Sequence, residues 1–166
     1  EQPFLTSIDR QFKYRSMIPL DNRSEGELMR GCEKILRKYD KAGFNVTLAL
    51  TDNEFAVLSD ELYDKWGVEL NACPAGDHVP EAERNNQTIG GRVRTHYHHL
   101  PYRVMPRIMI RYMALTSVDK LNYLPPKDGD QRYSPRELMG ARPLDFKDGL
   151  FITGRFVLAD NHPLKL

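Results

Sequence analysis

The stretch that decides the fold is Val46-Thr47-Leu48-Ala49-Leu50-Thr51-Asp52-Asn53-Glu54-Phe55, continued after a loop by His78-Val79-Pro80-Glu81-Ala82-Glu83-Arg84-Asn85-Asn86-Gln87. The run Val46 to Leu50 is apolar and branched, which predicts a short buried strand. Asp52 follows it directly, so a carboxylate is held at the margin of the sheet, where α/β proteins usually place their chemistry. The second part opens a helix: Pro80 suits the first turn, and Glu81 and Glu83 match its positive N-terminal end. Such a helix can carry Glu83 opposite Asp52, and two facing carboxylates are the least that a hard divalent cation needs.

Outward from this centre, charge is unevenly spread. The formal net charge is only +1, yet Arg84, Arg92, Arg94, Arg103, Arg107 and Arg111 fall in a stretch with no Asp or Glu, which leaves −5 for the rest. A basic segment beside a carboxylate pair suits a phosphate-backbone substrate, and the neighbouring His96, His98 and His99 add to that reading. A solvated helix face is the plain alternative. Hydrophobic residues at 40% and charged residues at 28% describe a globular domain, and 166 residues are enough to bury a core. No apolar run approaches the roughly 20 residues that span a bilayer, and no secretory signal opens the chain. Cys32 and Cys73 are too few for a disulfide framework or a four-ligand zinc site and read as buried or partly buried thiols. The start at Glu1 reads as a processed product or a fragment.

Pro3 to Ile8 and Lys13 to Pro19 predict an antiparallel hairpin, with Asp9 in a structural role at its turn. Ser24 and Glu27 form a capping-box pattern ahead of a helix reaching about Ala42, with an apolar stripe through Leu28, Cys32, Ile35, Leu36 and Tyr39 and Gly43 as its stop. Glu54 to Lys65 predicts a short amphipathic helix closed by Trp66 and Gly67, and Val68 to Asn71 an edge strand. Trp66 reads as a core anchor. Gly90-Gly91 predicts a break in the helix begun at Pro80, since each glycine costs about 1 kcal/mol relative to alanine. A further helix runs from Pro106 to Asn122, with Ile108, Tyr112 and Leu115 and the row Met109, Met113 as its apolar positions. Pro125 to Asp130 is a loop, Ser134-Pro135-Arg136-Glu137 a capped helix start, and Leu150 to Leu158 one or two strands.

Thr51-Asp52-Asn53-Glu54-Phe55 followed by Val79-Pro80-Glu81-Ala82-Glu83-Arg84-Asn85-Asn86-Gln87-Thr88-Ile89 resembles the catalytic core of copia-type retrotransposon integrases, particularly the diverged elements of protists. The likeness runs from Phe4 to about Phe156, and the Ser134-Pro135 helix resembles the element after that core. It implies an α/β fold of RNase H-like type, a mixed sheet flanked by helices, with residues 1–124 as the core and 125–166 as a small C-terminal extension. It further implies Asp52 and Glu83 as the second and third acids of a D,D,E triad, acting as metal ligands, with 30 residues between them. Arg84, Asn86, Gln87, Arg92, Arg94, Arg103 and Arg107 are the DNA-binding candidates. The family places its first acid on a strand ahead of the hairpin, which this sequence lacks; the expectation is a sheet without its first strand and an incomplete triad.

The implied reaction is phosphoryl transfer with Mg2+ (or Mn2+), two metals about 4 Å apart. The implied partners are DNA, as element ends and target, and a homo-oligomer, with no membrane and no small-molecule cofactor. The implied setting is nuclear or cytoplasmic, through a virus-like particle, and not secreted. Two other readings stand beside DNA strand transfer: a non-catalytic nucleic-acid-binding or assembly module that keeps the fold, and an RNase H-like nuclease acting on RNA–DNA hybrids.

Overall fold

The computed structural model describes residues 3–74, 79–101, 104–127 and 130–140. The loop after Pro74, Arg103 and the strands expected between Leu150 and Leu158 lie outside them. Two strands open the chain, β1 (Phe4–Ile8) and β2 (Arg15–Pro19), and pair antiparallel. Their turn is closed by Asp9, whose Oδ1 accepts from the amides of Gln11 and Phe12, both at 2.8 Å, so Asp9 has the structural role expected.

Helix α1 (Glu25–Lys41) follows, then β3 (Leu48–Thr51), a short 3-10 helix (Asn53–Leu58), α2 (Ser59–Trp66) and β4 (Glu69–Ala72), which pairs parallel with β3. Gly43 (φ 81°) and Gly67 (φ 65°) follow α1 and α2 in the left-handed conformation that ends a helix most readily. The remaining described helices are α3 (Pro80–His99), α4 (Arg107–Leu121) and the single turn α5 (Pro135–Leu138). This is a mixed α/β fold.

The core lies where α1 meets both strand pairs, through Leu5, Ile18, Leu28, Leu36, Phe55 and Leu58, with Trp66 packed against it. Gly31 lets α1 settle closely on the hairpin: a Cβ there would stand 2.7 Å from Leu5 Cδ2 and 3.1 Å from Leu20 Cδ2. A second seam joins α3 and α4 through Ile89, Met113 and Val118, all buried.

Several sequence expectations are corrected. The strands form two separate two-stranded sheets, and among the described residues nothing is hydrogen-bonded between β1 and β3. Leu20 N–H donates to Pro3 and Asp9 N–H to Tyr14, so by antiparallel alternation Phe4, Thr6 and Ile8 turn their backbone groups away from β2. Glu69 and Cys73 donate to Thr47 and Thr51, which leaves Leu48 and Leu50 turned away from β4. β3 is not buried as expected: Leu48 is 52% exposed. The outer edge of β2 is the protected one. Asn122, at the end of α4 and 3% exposed, accepts from Arg15 N–H and donates to Arg15 C=O, both at 2.8 Å, standing in for a neighbouring strand. Pro19, next along that edge but one, has no N–H to offer.

The capping box at α1 does not form. Ser24 makes no side-chain cap, and the Glu27 carboxylate is taken by Arg30 and the Asp21 amide. At α5 it does form, between Ser134 and Glu137. Helix α3 runs through Gly90-Gly91 unbroken, because its packing on β1 and α4 outweighs local propensity. On α4 the buried row is Met113, Ala114, Ser117 and Val118, whereas Ile108 and Tyr112 face outward.

Candidate nucleic-acid interface

Helix α3 carries most of the candidate residues. Pro80 occupies its first turn beside Glu81 and Glu83, where Pro costs no hydrogen bond and carboxylates meet the positive end of the helix. At 3.6 residues per turn, Glu83, Gln87, Arg94 and His98 fall along one stripe, with Arg84 beside it, and all five are exposed. Gln87 Nε2 donates to Glu83 Oε1 at 3.3 Å, so these two candidates are brought together. Arg94 Nε reaches the Gly90 carbonyl oxygen at 3.3 Å, which lays its side chain back along the helix.

Asn86 leaves the stripe and accepts from Thr6 Oγ1 of β1 at 2.6 Å. Arg92, one turn before His96, is exposed. Arg107 begins α4 and is exposed. None of Arg84, Arg92, Arg94 or Arg107 forms an ion pair with a carboxylate of the described residues. Their charge is therefore available to a partner. Arg103 lies outside the described residues.

Asp52 sits between β3 and the 3-10 helix, exposed, and its side chain makes no cap bond there. Glu81 turns the other way from Glu83 and is held by Arg10 and Lys13 of the hairpin. Among the described residues no group of three or more His, Cys, Asp or Glu is gathered to hold a metal ion. Cys32 packs against the core, and burial pushes its thiol up to about 11.

His96 joins α3 to α4. Ser117 Oγ donates to the Met113 carbonyl oxygen at 2.7 Å, so it accepts from His96 Nδ1, 2.9 Å away, and the neutral imidazole carries its proton on Nδ1. Ser117 is thereby tied to backbone and buried, and the pair is a structural bond and not a nucleophile with its base. Burial, followed by the nearby charges of Lys120, Arg92 and His99, lowers the His96 pKa from 6.5. A base whose folded pKa lies below its unfolded one binds fewer protons folded. Its contribution is full above about 6.5 and is lost as pH falls toward the folded value. Thermal unfolding at pH 7.5 and 5.0 should therefore show a smaller acid-induced drop in Tm for His96→Asn than for the parent chain; an equal drop in both would contradict this assignment.

Four residues were missed in the sequence: Lys13, Arg15, Asn85 and Asn122. Arg15 Nε donates to Asn85 Oδ1 at 3.1 Å, 70 positions away in sequence. An asparagine within a helix carries no periodicity signal that would have marked it.

No protein-family description matches the sequence, and no curated protein does. The fold is similar to a chain of the cryo-EM structure of the simian T-cell lymphotropic virus intasome in complex with the PP2A regulatory subunit B56 gamma. The TM-score is 0.56 at 13% identity, over 87% of this chain and 54% of that one. The chain therefore spans about half the length of that neighbour, and the likeness is one of fold.

Proposed function

We propose that this chain is an integrase-type core, of the copia retrotransposon kind and RNase H-like in its architecture, that binds the DNA backbone along α3 and transfers phosphoryl groups at strand ends. The observation that carries the reading is the exposed stripe of α3, which aligns a first-turn carboxylate, an amide and a guanidinium with Arg84 alongside and no acid of the described residues ion-paired to these arginines. The fold likeness to a chain of an intasome complex supports it. Its setting would be the nucleus, where DNA is met.

The donor chemistry fits magnesium. Asp52 and Glu83 offer carboxylate oxygens, both are exposed, and neither is ion-paired with a described residue. Mg2+ is commonly held by one or two carboxylates with substrate phosphates and water completing its shell. When bound, the metal would activate water or a 3′-hydroxyl and stabilise the leaving oxygen. The residues of the chain do the rest: Gln87 orients Glu83 through its hydrogen bond, Arg84 and Arg94 neutralise phosphates, and Thr6 fixes Asn86 against the sheet.

A second reading, a nucleic-acid-binding module that does no chemistry, rests on the same exposed arginines, which bind a phosphate backbone without a metal. Both readings share the DNA surface, so that surface is tested first. Changing Arg84, Arg92 and Arg94 together to Ala should reduce the slope of log K against log salt by about 2.7, near 0.9 for each phosphate contact. Fluorescence anisotropy with a short duplex between 50 and 200 mM salt would measure it. An unchanged slope sinks the α3 interface.

A further inference from the structure

On the side of α3 turned away from its exposed stripe, the β1–β2 turn brings three cations against two helix residues. Arg10 Nε lies 2.5 Å and Lys13 Nζ 4.0 Å from the Glu81 carboxylate. One helical turn further on, Arg15 Nε donates to Asn85 Oδ1 at 3.1 Å, and Arg15 Nη1 to the Lys13 carbonyl oxygen at 3.3 Å. Glu81 is engaged by the first two cations, and Arg15 has no carboxylate of the described residues within ion-pair distance. Half-buried and without a counter-ion, its guanidinium is uncompensated, and burial lowers its pKa.

Beside it, Asn85 is 2% exposed and its Nδ2 has no acceptor. Buried amide donors are nearly always paired, so this one is an exception that needs a cause. The frame around the two is rigid. Asn122 clamps the Arg15 backbone, and Lys13 is held at φ 59°, the one positive φ among the described non-glycine residues. The other nearby carboxylate, Asp9, accepts from the amides of its own turn.

Positive charge without a counter-ion among the described residues and an unpaired donor at the same place together fit an oxyanion. We propose that Lys13, Arg15 and Asn85 form a binding site for one phosphate group of a nucleic-acid backbone, entered past Lys13 between the hairpin turn and α3. The phosphate accepts from Arg15, from Asn85 Nδ2 and from Lys13 Nζ. Lys13 gives up its long contact with Glu81, which keeps Arg10. The Lys13 side chain is 21% exposed, so the entrance opens to solvent. Nucleic acid as the phosphate source rests on the reading of α3 as a DNA-binding helix; the oxyanion site itself does not.

The test is NMR of the full chain, following the Arg15 Nε–H and Asn85 side-chain amide signals. Inorganic phosphate should move both saturably in the millimolar range, while chloride at equal ionic strength leaves them in place. A short duplex should move them at concentrations about tenfold lower, because neighbouring contacts raise the local phosphate concentration. Lys13→Gln should weaken the phosphate response severalfold, and Asn85→Asp, which sets a carboxylate where the donor stood, should abolish it. No movement with phosphate overturns the site. Movement with phosphate but not with duplex overturns the nucleic-acid source. The phosphate response should survive in the Arg84, Arg92 and Arg94 triple variant; its loss there would show that the shifts report the α3 face instead.

Discussion

Asp52→Asn is expected to slow magnesium-dependent strand cutting and joining by about two to three orders of magnitude while leaving duplex affinity within about twofold of the parent chain. Asparagine keeps the size of the side chain and removes the charge that a hard cation requires. Asp52 is exposed and makes no side-chain cap, so the substitution leaves folding intact. A metal in such a site supplies several kcal/mol of transition-state stabilisation, and losing it should slow the reaction by roughly 100- to 1,000-fold. Affinity survives because it rests on the arginines of α3, which carry no acid partner in the described fold. Glu83→Gln should behave alike. Glu81→Gln should not, since that carboxylate faces Arg10 and Lys13. Labelled-oligonucleotide strand-transfer assays with and without magnesium measure this. Cutting that persists in Asp52→Asn would remove Asp52 from the chemistry. A parent chain that binds DNA and shows no metal-dependent cutting would establish the non-catalytic module.

The largest effect on stability is expected at Asn122. Its amide makes both hydrogen bonds of the outward Arg15 backbone groups, and the residue is almost wholly buried. Asn122→Ala leaves an N–H and a C=O without partners, each costing about 1–3 kcal/mol where water cannot reach, so a total loss of about 2–6 kcal/mol is expected in urea unfolding. Asn122→Asp should be no milder: it keeps an acceptor for the Arg15 N–H and turns an oxygen toward the Arg15 carbonyl. A loss below about 0.5 kcal/mol for Asn122→Ala, the size of an ordinary surface change, would mean that the β2 edge does not depend on this clamp.

Element types were legible because each rests on a local rule. The hairpin follows from alternation and the Asp9 turn, α1 and α2 from apolar spacing with terminal glycines, and α5 from its Ser134–Glu137 box. Local rules failed where two of them competed or where packing intervened. Ser24 and Glu27 satisfy the capping pattern, but Arg30 lies on the same face and takes the carboxylate. Gly90-Gly91 satisfies the rule for a weak helix, but α3 has β1 beneath one side and α4 beside another. The apolar run before Asp52 reads as a buried strand, but burial needs neighbours on both sides, and among the described residues β3 pairs only with β4.

For the candidate site, the sequence by itself determined the ingredients: a carboxylate after a strand, a proline-started acidic helix and a run of arginines free of acids. Chain order and charge are sufficient for that. The tertiary structure decided which of them share a surface. It set Glu83, Gln87 and Arg94 together on the outer stripe of α3, drew Asn86 to Thr6, and turned Glu81 toward the hairpin. It also joined Arg15 to Asn85 and to Asn122, residues 70 and 107 positions away. The physical reason is the range of the forces. Propensity and capping act within a few residues, whereas a buried amide takes whichever partner the packing of distant elements brings within about 3 Å.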